Sequence, residues 1–332
     1  MSEPVVLEHT SACLRGNPLG DPYRRRVEVH LPPGYDGVRR FPVVYWLPGF
    51  GAHPSLANRA LAFGGSVADR LRRAMTDGVV PPALLVVPDC TTAHGGSQYI
   101  DSAACGRYAG HLAEVVAEVD CRFATLAEPA GRAVAGKSSG GYGALVAGMT
   151  SRLFAAVLAF SPDAGFEHCY LPLLPAALDT VRAAGGVEGL LARRDTGPHD
   201  VPFMVAMSIV AMGMCYADTP GTTPADALPC DPETGLFRDE VWQRWLGHDP
   251  VRMLPAHAGR LAALGLLHLS VGERDDYGMH WGVRALHAAL DAHGVPHGYL
   301  EHEGGHHGIE HVFTGALARL WDLWGKDGAC AA

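Results

Sequence analysis

Apolar residues recur in short continuous runs separated by amphipathic stretches. Residues 41–47 (Phe-Pro-Val-Val-Tyr-Trp-Leu), 83–87 (Ala-Leu-Leu-Val-Val) and 154–160 (Phe-Ala-Ala-Val-Leu-Ala-Phe) are almost wholly apolar. That is the pattern of strands buried on both faces of a parallel sheet. Residues 25–31 alternate instead, as a strand with one wet face does. Apolar positions 133–135, 264–271 and 297–300 predict three further strands. Between them the period changes. Leu112, Val115, Val116 and Val119 share one face of a helix over 108–119, and residues 279–292 and 309–324 read the same way. Leu61, Val67 and Leu71 mark another helical stretch.

The regular alternation stops between about 163 and 262, where helical patches occur without a clear strand. The pattern predicts one α/β domain over residues 1–332: a mostly parallel central sheet with helices on both faces and an inserted helical cap over about 163–262. Within the cap, residues 201–215 are apolar and carry Met204, Met207, Met212 and Met214. Such a segment suits either an adaptable acyl pocket or an ordinary core helix. Trp242 and Trp245, three apart, share a helix face and read as structural.

Composition narrows the function classes. The chain has 332 residues, 48% hydrophobic, with a net charge of −9. That suffices for a large core, and the negative balance argues against nucleic acid as a partner. The longest apolar stretch falls short of a membrane span, and Met1-Ser2-Glu3-Pro4 does not begin a secretion leader. Eight cysteines are scattered without metal-type spacing. Free thiols in a reducing cytoplasm are therefore the expectation.

The chemistry centres on residues 132–145. A strand end leads into Gly136-Lys137-Ser138-Ser139-Gly140, and small residues at helical spacing follow. Strand, sharp turn and helix with a serine at the tip make a G-x-S-x-G nucleophile elbow. Gly131, Gly136, Lys137 and Ser138 also satisfy the P-loop pattern G-x-x-x-x-G-K-[ST]. That reading is disfavoured, because the apolar strand lies between the glycines where the phosphate loop should be.

A serine needs a base within reach and an acid to orient that base. Asp275 follows the strand at 264–271, and His306 follows the strand at 297–300. Type, order and strand-end location thus agree with Ser138. Glu273 and Asp276 compete as the acid, Asp276 being the first alternate. His307 is the alternate base. The loop after residues 41–47, Pro48-Gly49-Phe50-Gly51, is placed to give a second oxyanion amide, so the backbone N–H groups of Phe50 and Ser139 are the expected donors. Residues 91–106, polar and glycine-rich, are expected at the mouth of the site. His302, His306, His307 and His311 invite a metal reading, but Gly304-Gly305 interrupts any helix that would align them. No metal and no cofactor is expected.

These residues together resemble the putative-esterase branch of the α/β-hydrolase superfamily, which includes esterase D (S-formylglutathione hydrolase), feruloyl esterases, enterochelin-esterase-like proteins and mycolyltransferases. The resemblance rests on Val29 to Asp36, Phe41 to Gly49, Ala135 to Leu145, Gly272-x-x-Asp275 and Gly304-Gly305-His306. Leu14 to Asp21 is most similar to the enterochelin-esterase-like members. The chain departs from the branch at Pro48, where many members have His or Asp, and at Lys137 and Ser139 beside the serine. The resemblance implies an α/β-hydrolase fold and a serine esterase acting on a small-molecule ester or thioester with an apolar acyl part. Acyl transfer from the same acyl-enzyme and non-catalytic ligand binding on this fold remain alternatives. Membrane partners are not expected, and self-association is left open.

Overall fold

The computed structural model describes residues 3–54 and 66–325. Leu61 and Cys330, both noted in the sequence, lie outside the described residues.

The described residues form ten strands: β1 (Val5–Thr10), β2 (Arg24–His30), β3 (Val43–Leu47), β4 (Leu84–Pro88), β5 (Asp101–Ser102), β6 (Gly106–Arg107), β7 (Arg132–Lys137), β8 (Ala156–Phe160), β9 (Leu266–Gly272) and β10 (Gly298–His302). Eight of them form one sheet in the order β1-β2-β4-β3-β7-β8-β9-β10, and β5 pairs separately with β6. β1 and β2 join antiparallel, and β4, β3, β7, β8, β9 and β10 run parallel. The apolar runs explain the interior. Every residue of β3, β4, β8 and β9 is buried, as strands covered on both faces must be.

The helices are α1 (Val67–Thr76), α2 (Tyr108–Arg122), α3 (Ser139–Thr150), α4 (Phe166–Cys169), α5 (Leu174–Ala183), α6 (Val187–Ala192), α7 (Val201–Cys215), α8 (Asp239–Leu246), α9 (Pro250–Ala262), α10 (Met279–Ala292), α11 (Glu310–Ala318) and α12 (Leu320–Trp324). Alternate strand residues feed two cores. Val44, Trp46, Leu85, Val87, Leu158 and Phe160 pack with α1, α11 and α12. Tyr45, Leu47, Val86, Val134, Val157 and Leu269 pack with α2, α3 and the helices that follow β8. The helix expected over 309–324 is broken: Arg319 separates α11 from α12. The six N-terminal residues of β1 gave no clear apolar period, because only Leu7 and His9 are buried there.

Residues 163–262 contain α4 through α9 and an isolated bridge between Cys230 and Phe237. α9 leaves this group and packs on α3 and α10 against the sheet. Asp249 fixes its start. The buried carboxylate caps Val251 N–H at 3.0 Å and also accepts the amides of Gly165 at 2.9 Å and Phe166 at 3.0 Å. One side chain thereby ties α9 to the chain leaving β8. Trp242 and Trp245 are both buried, with ring centroids 6.0 Å apart. No described helix is long and apolar enough to cross a membrane, and the seven described cysteines are free.

Candidate active site

β7 ends at Lys137 and α3 begins at Ser139, so Ser138 alone makes the turn. Its backbone sits at φ 58° and ψ −127°, a region that L side chains rarely adopt. Two glycines hold it there. A Cβ on Gly136 would lie 2.3 Å from the Gly140 carbonyl oxygen. A Cβ on Gly140 would lie 1.8 Å from the Leu47 carbonyl oxygen. Strand, turn and helix therefore close only around glycine. The first amides of α3, beginning with that of Ser139, have no intrahelical acceptor and carry the positive end of the helix dipole.

The strand between Gly131 and Gly136 removes the P-loop reading. Gly131 closes a tight turn over Pro129–Gly131, and β7 follows at once. No loop is left there to cradle a phosphate.

His306, after β10, and Asp275, after β9, meet. His306 Nδ1 lies 2.7 Å from Asp275 Oδ2, with both side chains almost wholly buried. Asp275 Oδ1 accepts the Tyr277 amide at 3.0 Å. Burial alone would raise the Asp275 pKa. The hydrogen bond and charge of His306, with the amides of Tyr277 and Met279, outweigh it and hold the carboxyl below its ordinary value. Because the carboxylate accepts at Nδ1, the imidazole keeps Nε2 for another partner. Asp276 does something different: its Oδ2 accepts the backbone N–H of His306 at 2.8 Å. Tyr277 meets the His306 ring edge-on at 4.8 Å.

Ser138 and His306 face one cleft of about 440 Å³, together with Gly49, Phe50, Lys137, Met204, Val205, Tyr277 and His307. His307 packs edge-on to His306 at 5.3 Å. Burial, then the charges of Lys137 and His306, lower its pKa. Burial likewise lowers the pKa of Lys137, while Glu310, Asp275 and Asp276 pull it the other way. α7 resolves the two readings of the methionine-rich segment by face. Val201, Met204, Val205 and Ser208 line the cleft, whereas Ile209, Val210, Met212 and Met214 are core.

The loop after β3 lies against the elbow. A Cβ on Gly49 would be 3.3 Å from the Lys137 carbonyl oxygen and 3.5 Å from Ser138 Cβ. The Phe50 amide follows directly, and its ring packs on Gly95 and Gly96. Of residues 91–106, Thr92 to Gly95 reach the rim near Phe50 and Met204, and Ser97 to Tyr99 lie beneath the loop. Tyr99 is a residue that sequence reasoning missed. Its hydroxyl donates to the Pro48 carbonyl at 2.6 Å and braces the loop from below. A tyrosine in a glycine-rich polar stretch carries no signal of that role. Asp163, also missed, is buried after β8 and accepts from Gln98 at 2.9 Å and Tyr170 at 2.8 Å.

His302, His306, His307 and His311 do not converge as ligands. His302 Nδ1 turns to the Glu303 carbonyl and His311 Nδ1 to the Gly308 carbonyl. His306 is engaged with Asp275.

Comparison with known proteins gives the family and the fold. A family model described as "Putative esterase" matches residues 22–319. Among solved structures, a ferulic acid esterase shares 17% identity at a TM-score of 0.62, covering 97% of this chain and 98% of its own. S-formylglutathione hydrolase from Staphylococcus aureus shares 16% identity at a TM-score of 0.56, covering 96% and 98%. Serine hydrolase F of Staphylococcus aureus, described as fluorophosphonate-binding, shares 14% at a TM-score of 0.60, also covering 96% and 98%. No curated protein sequence matches.

Proposed function

Because the chain belongs to the "Putative esterase" family of α/β-hydrolase ester hydrolases, we propose that it cleaves a small carboxylic ester or thioester through an acyl-enzyme on Ser138. The observation that carries the reading is the buried Asp275–His306 hydrogen bond opening on the same cleft as a strained, solvent-reachable Ser138.

In this mechanism His306 Nε2 takes the proton from Ser138 Oγ as the oxygen attacks the ester carbonyl. Asp275 holds the imidazole tautomer and stabilises the imidazolium that forms. The carbonyl oxygen, now negative, is met by the amides of Phe50 and Ser139 at the start of α3. His306 then gives the proton to the leaving alcohol or thiol. A water activated by the same nitrogen releases the acid. The apolar acyl part lies along Met204 and Val205. The part of residues 163–262 that precedes α9 acts as a cap on the sheet domain, with α7 as its cleft-facing wall.

The test is intact-protein mass spectrometry after a fluorophosphonate, comparing wild type with Ser138→Ala. One adduct on the wild type, absent from the variant, is expected. An adduct that persists in Ser138→Ala, or a folded wild type that takes none, would reject the assignment.

A further inference from the structure

The sheet edge opposite β10 holds a second constellation. His9 on β1 is buried and faces α2, where His111 and Glu114 lie three residues apart on one side of the helix. One ligand-capable atom from each residue lies within 4.8 Å of the other two. His9 Nε2 is 3.5 Å from Glu114 Oε2, and the two imidazole centroids are 5.5 Å apart.

The hydrogen bonds around the cluster orient it. His111 Nε2 lies 3.2 Å from the Asp89 carbonyl oxygen. A carbonyl only accepts, so the proton sits on Nε2 and Nδ1 of the neutral ring keeps its lone pair. That Nδ1 is buried without a hydrogen-bond partner, and so is His9 Nε2. Glu114 is fixed at both oxygens: Oε2 accepts from the Ser11 hydroxyl at 2.5 Å and Oε1 from the Cys13 amide at 3.0 Å. A buried imidazole nitrogen without a hydrogen bond is costly in a native fold; His111 Nδ1 is one, and His9 Nε2 has only the Glu114 carboxylate, 3.5 Å away.

We propose that His9, His111 and Glu114 bind a divalent transition-metal ion of the Zn²⁺ class, which ties the edge strand β1 to α2. Two imidazoles and a carboxylate are a donor set such ions accept. Metal–ligand distances of about 2.0–2.2 Å place tetrahedral ligand atoms about 3.4 Å apart, and the His9–Glu114 separation of 3.5 Å fits that edge. The surroundings are those of a ligand set: a ring N–H donating to a backbone carbonyl, and a carboxylate held by its own hydrogen bonds. Arg25, the nearby cation, is turned to Asp89 at 3.4 Å and to the Tyr108 hydroxyl at 2.9 Å. A second group, His287, Asp291 and His297, also clusters. There, however, the two rings satisfy each other at 2.7 Å.

The site lies away from the cleft, so it acts on stability rather than on the reaction. The test uses the whole chain, stripped with chelator, titrated with Zn²⁺ by calorimetry and with Co²⁺ by its ligand-field spectrum. Wild type, His9→Gln, Glu114→Gln and His297→Gln are compared, with circular dichroism and ester turnover as checks of folding. The wild type and His297→Gln should bind one equivalent and melt at a higher temperature with Zn²⁺. His9→Gln and Glu114→Gln should bind at least about tenfold more weakly and lose that rise, with ester turnover unchanged. If one of these two does not fold, the other decides. No stoichiometric binding by the wild type, undiminished binding in a folded His9→Gln or Glu114→Gln, or loss in His297→Gln would overturn the site.

Discussion

Asp276 Oδ2 accepts the backbone N–H of His306 at 2.8 Å, while the neighbouring Asp275 takes the imidazole of the same residue at 2.7 Å. Two adjacent acids thus hold one histidine by two different handles. The first sets where the residue sits, and the second sets what its ring can do. Asp275→Asn should lower kcat by about 10⁴, since an amide favours the wrong tautomer. Asp276→Ala should lower it by about ten- to a hundredfold, the worth of a hydrogen bond to a charged acceptor. Steady-state kinetics on a simple ester separates them, and equal losses would contradict the division.

Ser138→Ala should lower kcat by about 10⁴ to 10⁶ while leaving the fold intact, by the scale of other serine triads. Single-turnover assays and thermal melting of the same preparation check both halves.

Gly140→Ala should be worse for the fold than Ser138→Ala. The added methyl would lie 1.8 Å from the Leu47 carbonyl oxygen, and backbone on both sides leaves nothing soft to move. A destabilisation of about 3 kcal/mol or more is expected. Chemical denaturation measures it, and a variant as stable as the wild type would show that the elbow has slack.

Acyl preference should follow α7. Met204 lines the cleft, so Met204→Ala removes apolar contact worth about 1–2 kcal/mol. KM for longer acyl esters should rise about five- to thirtyfold, with acetyl esters little changed. A uniform change across chain lengths would place the acyl group elsewhere.

Acid should weaken the fold well above the carboxylate range. Burial, then Arg72, pushes the His30 pKa down to about 4. Burial, then Arg319, does the same for His268, also to about 4. The unfolded chain takes protons on these rings near pH 6.5 and the native chain does not. Their contribution is therefore complete above about pH 6.5 and is lost as the pH falls towards 4, up to about 3 kcal/mol for each ring. Denaturation between pH 7 and 4.5 should show stability falling with pH, less steeply in His268→Gln. A flat profile would contradict the burial argument.

The sheet was legible where burial was complete. Residues 83–87 and 154–160 are unbroken apolar runs because β4 and β8 are covered on both faces. β1 escaped because its inward positions are Leu7 and His9, and a histidine in an apolar place erases the period. The break at Arg319 escaped because Glu310 to Trp324 keeps its apolar face across it. For the site, residue type, chain order and strand ends led to Ser138, Asp275 and His306, and the structure sets Asp275 against His306. The division of labour between Asp275 and Asp276 depends on a backbone amide, which no side-chain pattern encodes. The same holds for Tyr99, whose contact is with the Pro48 carbonyl.

The glycine contacts at the elbow also bear on how this enzyme can change over generations. Gly136 presses on Gly140, and Gly140 presses on Leu47. A side chain at Gly136 or Gly140 would meet main-chain atoms, which no substitution elsewhere can remove. Gradual drift is closed to that corner. Novelty must enter at positions with open space before them, such as Met204 and Val205 along the cleft. The enzyme can therefore acquire new substrates by small inherited steps while its chemistry stays locked.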